Sequence, residues 1–230
     1  MTLDVFFLSY LESNREKNWF KVKKKYPRAR WIHGVKGLAL AHKICANLSQ
    51  TDFFFLVNGD NEICEDFKFK VPVSPLKPAV YCWRSLNPVN GLIYGFGGVK
   101  LFPKSFFFSP SFSFVDMSTS FNYQIVNELA SVTRFNASAL EAWRGAFRES
   151  VKLSSECIEG QKSKETKERL NIWCEKGEDV AFGKYVLQGA RQGRIYGKEN
   201  KNNKKALSRI NDFNWLKEVF IDKGNSLLNN

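Results

Sequence analysis

Asp60 is the sharpest chemical feature of this chain. It follows the apolar run Phe53-Phe54-Phe55-Leu56-Val57 by way of Asn58 and Gly59, with Glu62 two residues further on. A carboxylate at the carboxyl end of a buried strand, beside a glycine, can hold a divalent cation that bridges a diphosphate. Oxygen ligands with open positions suit Mg²⁺ or Mn²⁺. The same Asp could instead hydrogen-bond its own turn, and Glu62 could be a solvated turn carboxylate. Gly34-Val35-Lys36-Gly37 is a second candidate. Glycines at a helix N-terminus leave backbone N–H groups open to an anion, and Lys36 adds a charge. Neither stretch has P-loop spacing, and the first strand does not lead into G-x-G-x-x-G.

Three carboxylates compete as a general base: Glu149, Asp116 and Asp179. Glu149 stands beside Arg148, and a carboxylate near guanidinium groups stays ionised, which suits a base, an orienting group or a plain helix salt bridge. Asp116 precedes the polar cluster Met117-Ser118-Thr119-Ser120, which could line a pocket. Asp179 could sit in the first turn of a helix and satisfy its N-terminus. Trp83-Arg84-Ser85 and Tyr94-Gly95-Phe96-Gly97-Gly98-Val99-Lys100 pair aromatics with cations and glycines, as in a ligand-stacking surface or a tight hairpin over a core. The two histidines, His33 and His42, lack a nucleophile elbow and read as structural or ligand hydrogen-bonders. Five scattered cysteines without a Cys-x-x-Cys pair read as reduced thiols and argue against a zinc site.

The elements that must position these residues follow from periodicity. Asp4–Tyr10, Trp31–His33 and Phe53–Val57 read as strands, separated by a helix with a Ser13/Glu16 capping box and a second helix opened by Gly34–Gly37. The second helix places Leu38, Ala41, Cys45 and Leu48 on one side. Alternation of this kind predicts a parallel sheet whose ligand crevice lies beyond the strands' carboxyl ends. Ser9–Asn14, His33–Gly37 and Asn58–Glu62 would surround that mouth. Short β-like runs at Val80–Arg84, Leu92–Phe96, Val99–Phe102 and Phe112–Asp116 extend the sheet in antiparallel or mixed fashion. From Ser138 the chain turns helical, with a Ser138/Glu141 capping box and an apolar stripe of Leu140, Trp143, Phe147 and Val151. Helical patterns recur at Leu170–Cys174, Val180–Ala190 and Ala206–Ile210. Lys198–Lys205 reads as a mobile basic segment. The fold class is α/β, with a core over residues 1–135 and a helical C-terminal part over residues 136–230.

Composition sets the partner. The 230 residues carry 35 Lys and Arg against 23 Asp and Glu, a net charge of +12. Such a surplus attracts polyanions. The apolar runs are far too short to cross a bilayer, and the N-terminus has no basic leader. A cytoplasmic protein is expected, without a membrane partner.

Taken together, several stretches resemble the small phage-encoded glycosyltransferases of the GT-A type, including those that decorate hydroxymethylated pyrimidines in phage DNA. They are His33-Gly34-Val35-Lys36-Gly37, Val57-Asn58-Gly59-Asp60, Trp83-Arg84-Ser85-Leu86-Asn87-Pro88-Val89-Asn90, Tyr94 to Leu101, Val115-Asp116-Met117-Ser118-Thr119-Ser120, Trp143 to Glu149 and Ile210-Asn211-Asp212-Phe213. The resemblance implies a Rossmann-like mixed sheet flanked by helices, with a nucleotide-sugar site on its first half and an acidic metal motif after a central strand. That motif would be Asn58-Gly59-Asp60. Asn58 departs from Asp-x-Asp but still offers an oxygen, leaving Asp60 as principal ligand of Mn²⁺ or Mg²⁺.

On this resemblance Ser9, Tyr10, Glu12 and His33 would face the base and ribose of the donor, a UDP-sugar before others. Gly34, Lys36, Asn58 and Gly59 would line its diphosphate. Glu149, chosen over Asp116 and Asp179, would serve as base in an inverting reaction, or orient the acceptor in a retaining one. Trp83, Arg84, Gly97, Gly98, Ser118 and Arg148 would meet the acceptor. The charge favours double-stranded DNA as that acceptor, with Lys21, Lys24, Lys25, Lys201, Lys204 and Lys205 as phosphate contacts and the target base flipped from the duplex. A saccharide, lipid-linked or protein acceptor is the alternative within the same fold, and a non-catalytic nucleic-acid-binding module the alternative outside it. A monomer is favoured.

Overall fold

The computed structural model describes residues 2–73, 77–95, 97–108, 122–156 and 163–224. The predicted strand Phe112–Asp116 lies outside them. The chain divides into two compact units, Met1–Arg134 and Phe135–Asn230.

The first unit is built around strands with apolar side chains at every interior position of β1 and β3. In β1 (Asp4–Ser9), Val5 and Phe7 point to one core and Phe6 and Leu8 to another. A strand buried on both faces belongs inside a layered α/β sheet. Helix α1 (Arg15–Lys25) covers the first face with Val22 and Trp19, and α2 (Leu38–Leu48) covers the second with Ala41, Cys45 and Ala46. Between them runs β2 (Arg30–His33), and β3 (Phe53–Asn58) follows. β1 pairs in parallel with both, so the order β2-β1-β3 puts the two crossover helices on opposite faces.

The mixed extension then adds β4 (Asn61–Ile63), β5 (Val80–Leu86), β6 (Ile93–Tyr94), β7 (Val99–Pro103) and β8 (Tyr123–Thr133). Among the described residues the sheet has eight strands in the order β2-β1-β3-β7-β5-β8-β4, with β6 on β5. β7 runs antiparallel to β3 and β5, β8 runs parallel to β5, and β4 closes antiparallel on β8.

Local expectations fail in physically simple ways. α1 begins at Arg15 behind Asn14, one residue later than a cap at Ser13 would place it, and Asn14 makes no side-chain cap bond. In α2 the buried stripe is Ala41, His42, Cys45 and Ala46, whereas Leu38 and Leu48 stay substantially exposed. The small residues let the helix lie close to the phenylalanines of β3 and β7. Free thiols are found at Cys45, Cys64, Cys82 and Cys174.

The second unit holds α3 (Ala139–Ser155), α4 (Ser163–Glu175), α5 (Gly183–Glu199), α6 (Lys204–Ser208) and α7 (Phe213–Gly224). Ser138 caps α3, its hydroxyl accepting from the Glu141 N–H, and Trp143, Phe147 and Val151 are buried as a stripe. Lys198–Lys205, expected to be mobile, is the end of α5, a hydrogen-bonded turn and the start of α6. α3 and α5 touch backbone to backbone because glycines recur every fourth residue on α5. A β-carbon at Gly189, Gly193 or Gly197 would lie 2.3 Å from Trp143 O, 2.3 Å from Phe147 O or 2.1 Å from Ser154 Oγ.

Two predictions follow from this packing. Gly193→Ala forces α3 and α5 apart, and urea unfolding should show a loss of about 1–3 kcal/mol despite alanine's better helix propensity. His42 is buried against Phe102 and Phe107, and its Nδ1 lies 2.8 Å from Leu38 O. Burial pushes this imidazole down from 6.5 to about 3, with Lys100 acting in the same direction and the Leu38 carbonyl opposing. The unfolded chain therefore takes up a proton that the folded one refuses between pH 6.5 and about 3. Stability should be complete above that window and fall through it by up to about 1.4 kcal/mol per pH unit. His42→Phe should flatten the dependence in denaturant titrations run at successive pH values.

Candidate functional site

The parallel strands β1, β2 and β3 end at one edge of the sheet, and their last residues are Ser9, His33 and Asn58. β7 runs the other way, so its entry at Gly97-Gly98 meets the same edge. The Asn58 N–H donates to Gly98 O at 3.1 Å and its Nδ2 to Gly97 O at 2.8 Å. Lys100 Nζ donates to the same Gly97 carbonyl at 3.3 Å. The carboxyl ends of β5 and β8 and the start of β4 arrive there too, because β5 and β8 run parallel to β3 and β4 opposes them.

Ser9 and His33 are joined directly. Ser9 Oγ lies 2.8 Å from His33 Nδ1 and accepts from the Trp31 indole N–H at 2.7 Å. Trp31 stacks on Trp19 with centroids 5.4 Å apart, which holds the dyad against α1. The Tyr10 N–H donates to Glu12 Oε2 at 2.7 Å, folding the loop after β1 back on itself. Gly59 packs into this loop: a β-carbon there would stand 2.7 Å from Ser9 Cβ and 2.8 Å from Glu12 Oε2. Buried Asn18 of α1 fixes Gly59 from behind, donating from Nδ2 to its carbonyl at 2.9 Å.

Asp60 is half-buried, and its Oδ1 accepts from Asn61 Nδ2 at 2.6 Å. Asn61 is held in turn. Its Oδ1 accepts from Ser131 Oγ at 2.9 Å, Thr133 Oγ1 at 2.9 Å and Ser85 Oγ at 3.3 Å. Ser85 Oγ lies 2.7 Å from Thr133 Oγ1 and 3.0 Å from Ser131 Oγ, and it donates to Ser131 O at 3.0 Å. All four side chains are buried. Gly98 borders this cage so closely that a β-carbon would fall 2.1 Å from Asn61 Oδ1 and 2.4 Å from Ser131 Oγ. Asn61 falls within the Asn58–Glu62 stretch expected at the mouth and Ser85 within Trp83-Arg84-Ser85, whereas Ser131, Thr133 and Asn18 carried no expectation from sequence. The signal was present in Ser131-Val132-Thr133, where hydroxyls alternate on the face of a strand that turns inward.

Other candidates fall elsewhere. Gly34 and Lys36 are exposed in the loop between β2 and α2, beyond the same sheet edge. Trp83 is not at a surface: it is 1% exposed, packs on Phe55 and Phe67, and donates its indole N–H to Glu128. Its apolar ring completes the core on that face of the sheet, which is why it is drawn inward. Arg84 is half-buried where β5 bulges against β8. Lys21 and Arg134 both pair with Glu62 and hold that carboxyl near 2, below the usual 4.5. Glu62 thus ties α1 and β8 to β4, and Lys21 is engaged in the fold. Lys25 likewise donates to the Glu65 carbonyl, while Lys24 is exposed.

In the second unit, Glu149 is half-buried on α3. Arg148 binds its own fold, donating to Ile210 O at 2.7 Å and Asn211 Oδ1 at 2.9 Å. Asp179 lies in the turn before α5, which starts only at Gly183, so it is outside that helix's first turn. Lys201 pairs with Glu156, whereas Lys204 and Lys205 are exposed at the start of α6. Asp116 and Ser118 lie outside the described residues.

The donor set at the strand ends is all hard oxygen, from the Asp60 carboxylate and the Asn58 amide. Among the described residues no group of three or more His, Cys, Asp or Glu side chains is placed to hold a metal ion. These residues fit a cation that keeps water and brings phosphate oxygens as ligands, as Mg²⁺ does, rather than a closed protein cage. Among the same residues no helix is long and apolar enough to cross a membrane.

No protein-family model matches the chain, and no curated protein matches it. Among solved structures, HddC from Yersinia pseudotuberculosis is similar over 55% of this chain and 69% of its own, at 16% identity and a TM-score of 0.35. A Bacillus anthracis protein described as a glucose-1-phosphate thymidylyltransferase, solved in complex with a sucrose, is similar over 54% of this chain and 68% of its own, at 12% identity and a TM-score of 0.35. At that TM-score neither likeness carries an argument about this chain.

Gly98 offers a direct check on the geometry. Gly98→Ala drives a methyl group into the Asn61 amide, and thermal and urea unfolding should report a loss of about 1–3 kcal/mol. Gly34→Ala, in open space, should cost less, with only its backbone conformation to strain it.

Proposed function

We propose that this chain is a glycosyltransferase that moves a sugar from a nucleotide-sugar, a UDP-sugar before others, to the hydroxymethyl group of 5-hydroxymethylcytosine or 5-hydroxymethyluracil in double-stranded DNA. The observation that carries the reading is the convergence of Ser9, His33 and Asn58-Gly59-Asp60 at one sheet edge, with Asp60 oriented by Asn61. Ligands of layered α/β sheets bind beyond such strand ends.

The loop after β1, with Tyr10 and Glu12, and the Ser9–His33 pair would meet the base and ribose through hydrogen bonds. Lys36 adds positive charge beside the diphosphate. A divalent cation, Mn²⁺ or Mg²⁺, bound at Asp60 and Asn58 would supply neutralisation of the charge gathering on the leaving diphosphate. In an inverting reaction, a carboxylate takes the proton of the acceptor hydroxyl as its oxygen attacks the anomeric carbon and the bond to the diphosphate breaks. Glu149, Asp116 and Asp179 are the carboxylates proposed for that task. In a retaining reaction Glu149 would orient the acceptor.

Charge supports a nucleic acid as acceptor over a neutral saccharide. Beside the exposed Lys24, Lys204 and Lys205, the second unit has a shallow cavity of about 560 Å³ lined by Lys198, Glu199, Lys201, Asn202, Asn203 and Lys204. Cations and amides around one hollow suit phosphate oxygens, and binding should weaken steeply with salt.

Mass spectrometry of nucleosides tests the reading, after DNA carrying either modified base is incubated with the protein, Mn²⁺ or Mg²⁺ and a panel of nucleotide sugars. A hexose- or pentose-sized gain on one base is expected, abolished by Asp60→Asn while DNA affinity persists. Release of free nucleotide without any gain on DNA would keep the transferase and discard DNA as its acceptor. DNA binding with neither gain nor release would favour a non-catalytic module.

A further inference from the structure

We propose that Asn61 is a positioning residue: gripped by the hydroxyls of Ser85, Ser131 and Thr133, it fixes the direction in which Asp60 presents its carboxylate to a cation-bound nucleoside diphosphate. The inference rests on the reading of Asp60 given above.

The polarity of the Asn61 amide is fixed by chemistry. An ionised carboxylate only accepts hydrogen bonds, so the group 2.6 Å from Asp60 Oδ1 must be the NH₂. The carbonyl oxygen then faces the hydroxyls, which are the donors it requires. Were the amide reversed, two acceptor oxygens would face each other at that distance. Asp60 thus sets which way the amide points, and the hydroxyls, free to donate to its oxygen, hold the side chain in that place.

The hydroxyls are not needed to join the strands. Asn61 already stands opposite Thr133, and Ser85 opposite Ser131, in the backbone ladders of β4, β5 and β8. Four polar side chains are buried where apolar ones would pack without any desolvation cost. Satisfied networks of this kind hold one geometry. The Asp60 backbone is held as well, its carbonyl accepting from the Arg134 N–H at 2.8 Å. Partners that orient metal-binding groups without touching the metal typically change affinity by about 10–100-fold when removed.

The test separates orientation from stability. UDP is titrated calorimetrically into wild type, Thr133→Val, Thr133→Ser, Ser131→Ala and Asp60→Asn in MnCl₂, well below the melting temperature measured for each. Thr133→Val keeps the shape and loses the hydroxyl, and it should weaken UDP binding about tenfold. Thr133→Ser restores the hydroxyl and should bind as wild type does. If Thr133→Val only melts earlier and binds UDP like wild type, while Asp60→Asn loses binding, the inference is overturned and the Asp60 reading survives. Should Thr133→Val fail to fold, Ser131→Ala is judged by the same criterion. If wild type binds no UDP, or Asp60→Asn binds as tightly as wild type, the Asp60 reading falls and the inference falls with it.

Discussion

Burial of the central strands on both faces is the constraint from which the rest of this structure follows. Phe6, Phe7, Phe54, Phe55 and Val57 have no exposed surface, and they alternate between a core under α1 and a core under α2. No polar side chain can be placed along those strands without losing its water. Polar groups therefore appear where the strands run out, and parallel pairing brings those ends to one edge. Ser9, His33 and Asn58 stand there for this reason before any ligand is considered.

A second constraint arises next to the first. Placing Asn61 and three hydroxyls in the interior is tolerable only because each finds a partner: a half-satisfied set would cost about 1–3 kcal/mol for each stranded group. Gly98 makes the set possible, since any side chain there would occupy the space of the Asn61 amide. The Gly97-Gly98 pair thus serves two neighbours, with its carbonyls bonded to Asn58 and its missing side chain leaving room for Asn61. Such a satisfied cluster holds one geometry beside Asp60.

The helical unit solves a different problem by similar means. α3 and α5 approach until glycines on one helix lie against carbonyls of the other, while Trp143, Phe147 and Val151 of α3 fill the core of the unit. Against α7, Arg144 lies 4.4 Å from the Phe213 ring and Arg209 4.5 Å from the Trp215 ring, so cations cover apolar surface. Part of the chain's basic excess is thereby structural, as it also is for Lys21 and Lys25. Lys24, Lys36, Lys204 and Lys205 are left exposed.

The sequence by itself determined the layered α/β start, the capped helix at Ser138 and the strand-end position of Asp60. These are local patterns: unbroken apolar runs, helical spacing and a capping box each declare themselves within a few residues. Only the tertiary structure decided what lies beside Asp60. β8, the longest strand among the described residues, does not declare itself because Tyr123–Leu129 is largely exposed, with Ile125 and Leu129 left outside the core. Yet its end supplies Ser131 and Thr133, about 70 residues from the Asn61 they hold. Trp83, open in sequence to either a ligand-stacking surface or a core, lies in the core, because a short motif carries no record of which side of the sheet it will face. Contacts between distant strands are fixed by register, and register is set by the whole sheet at once.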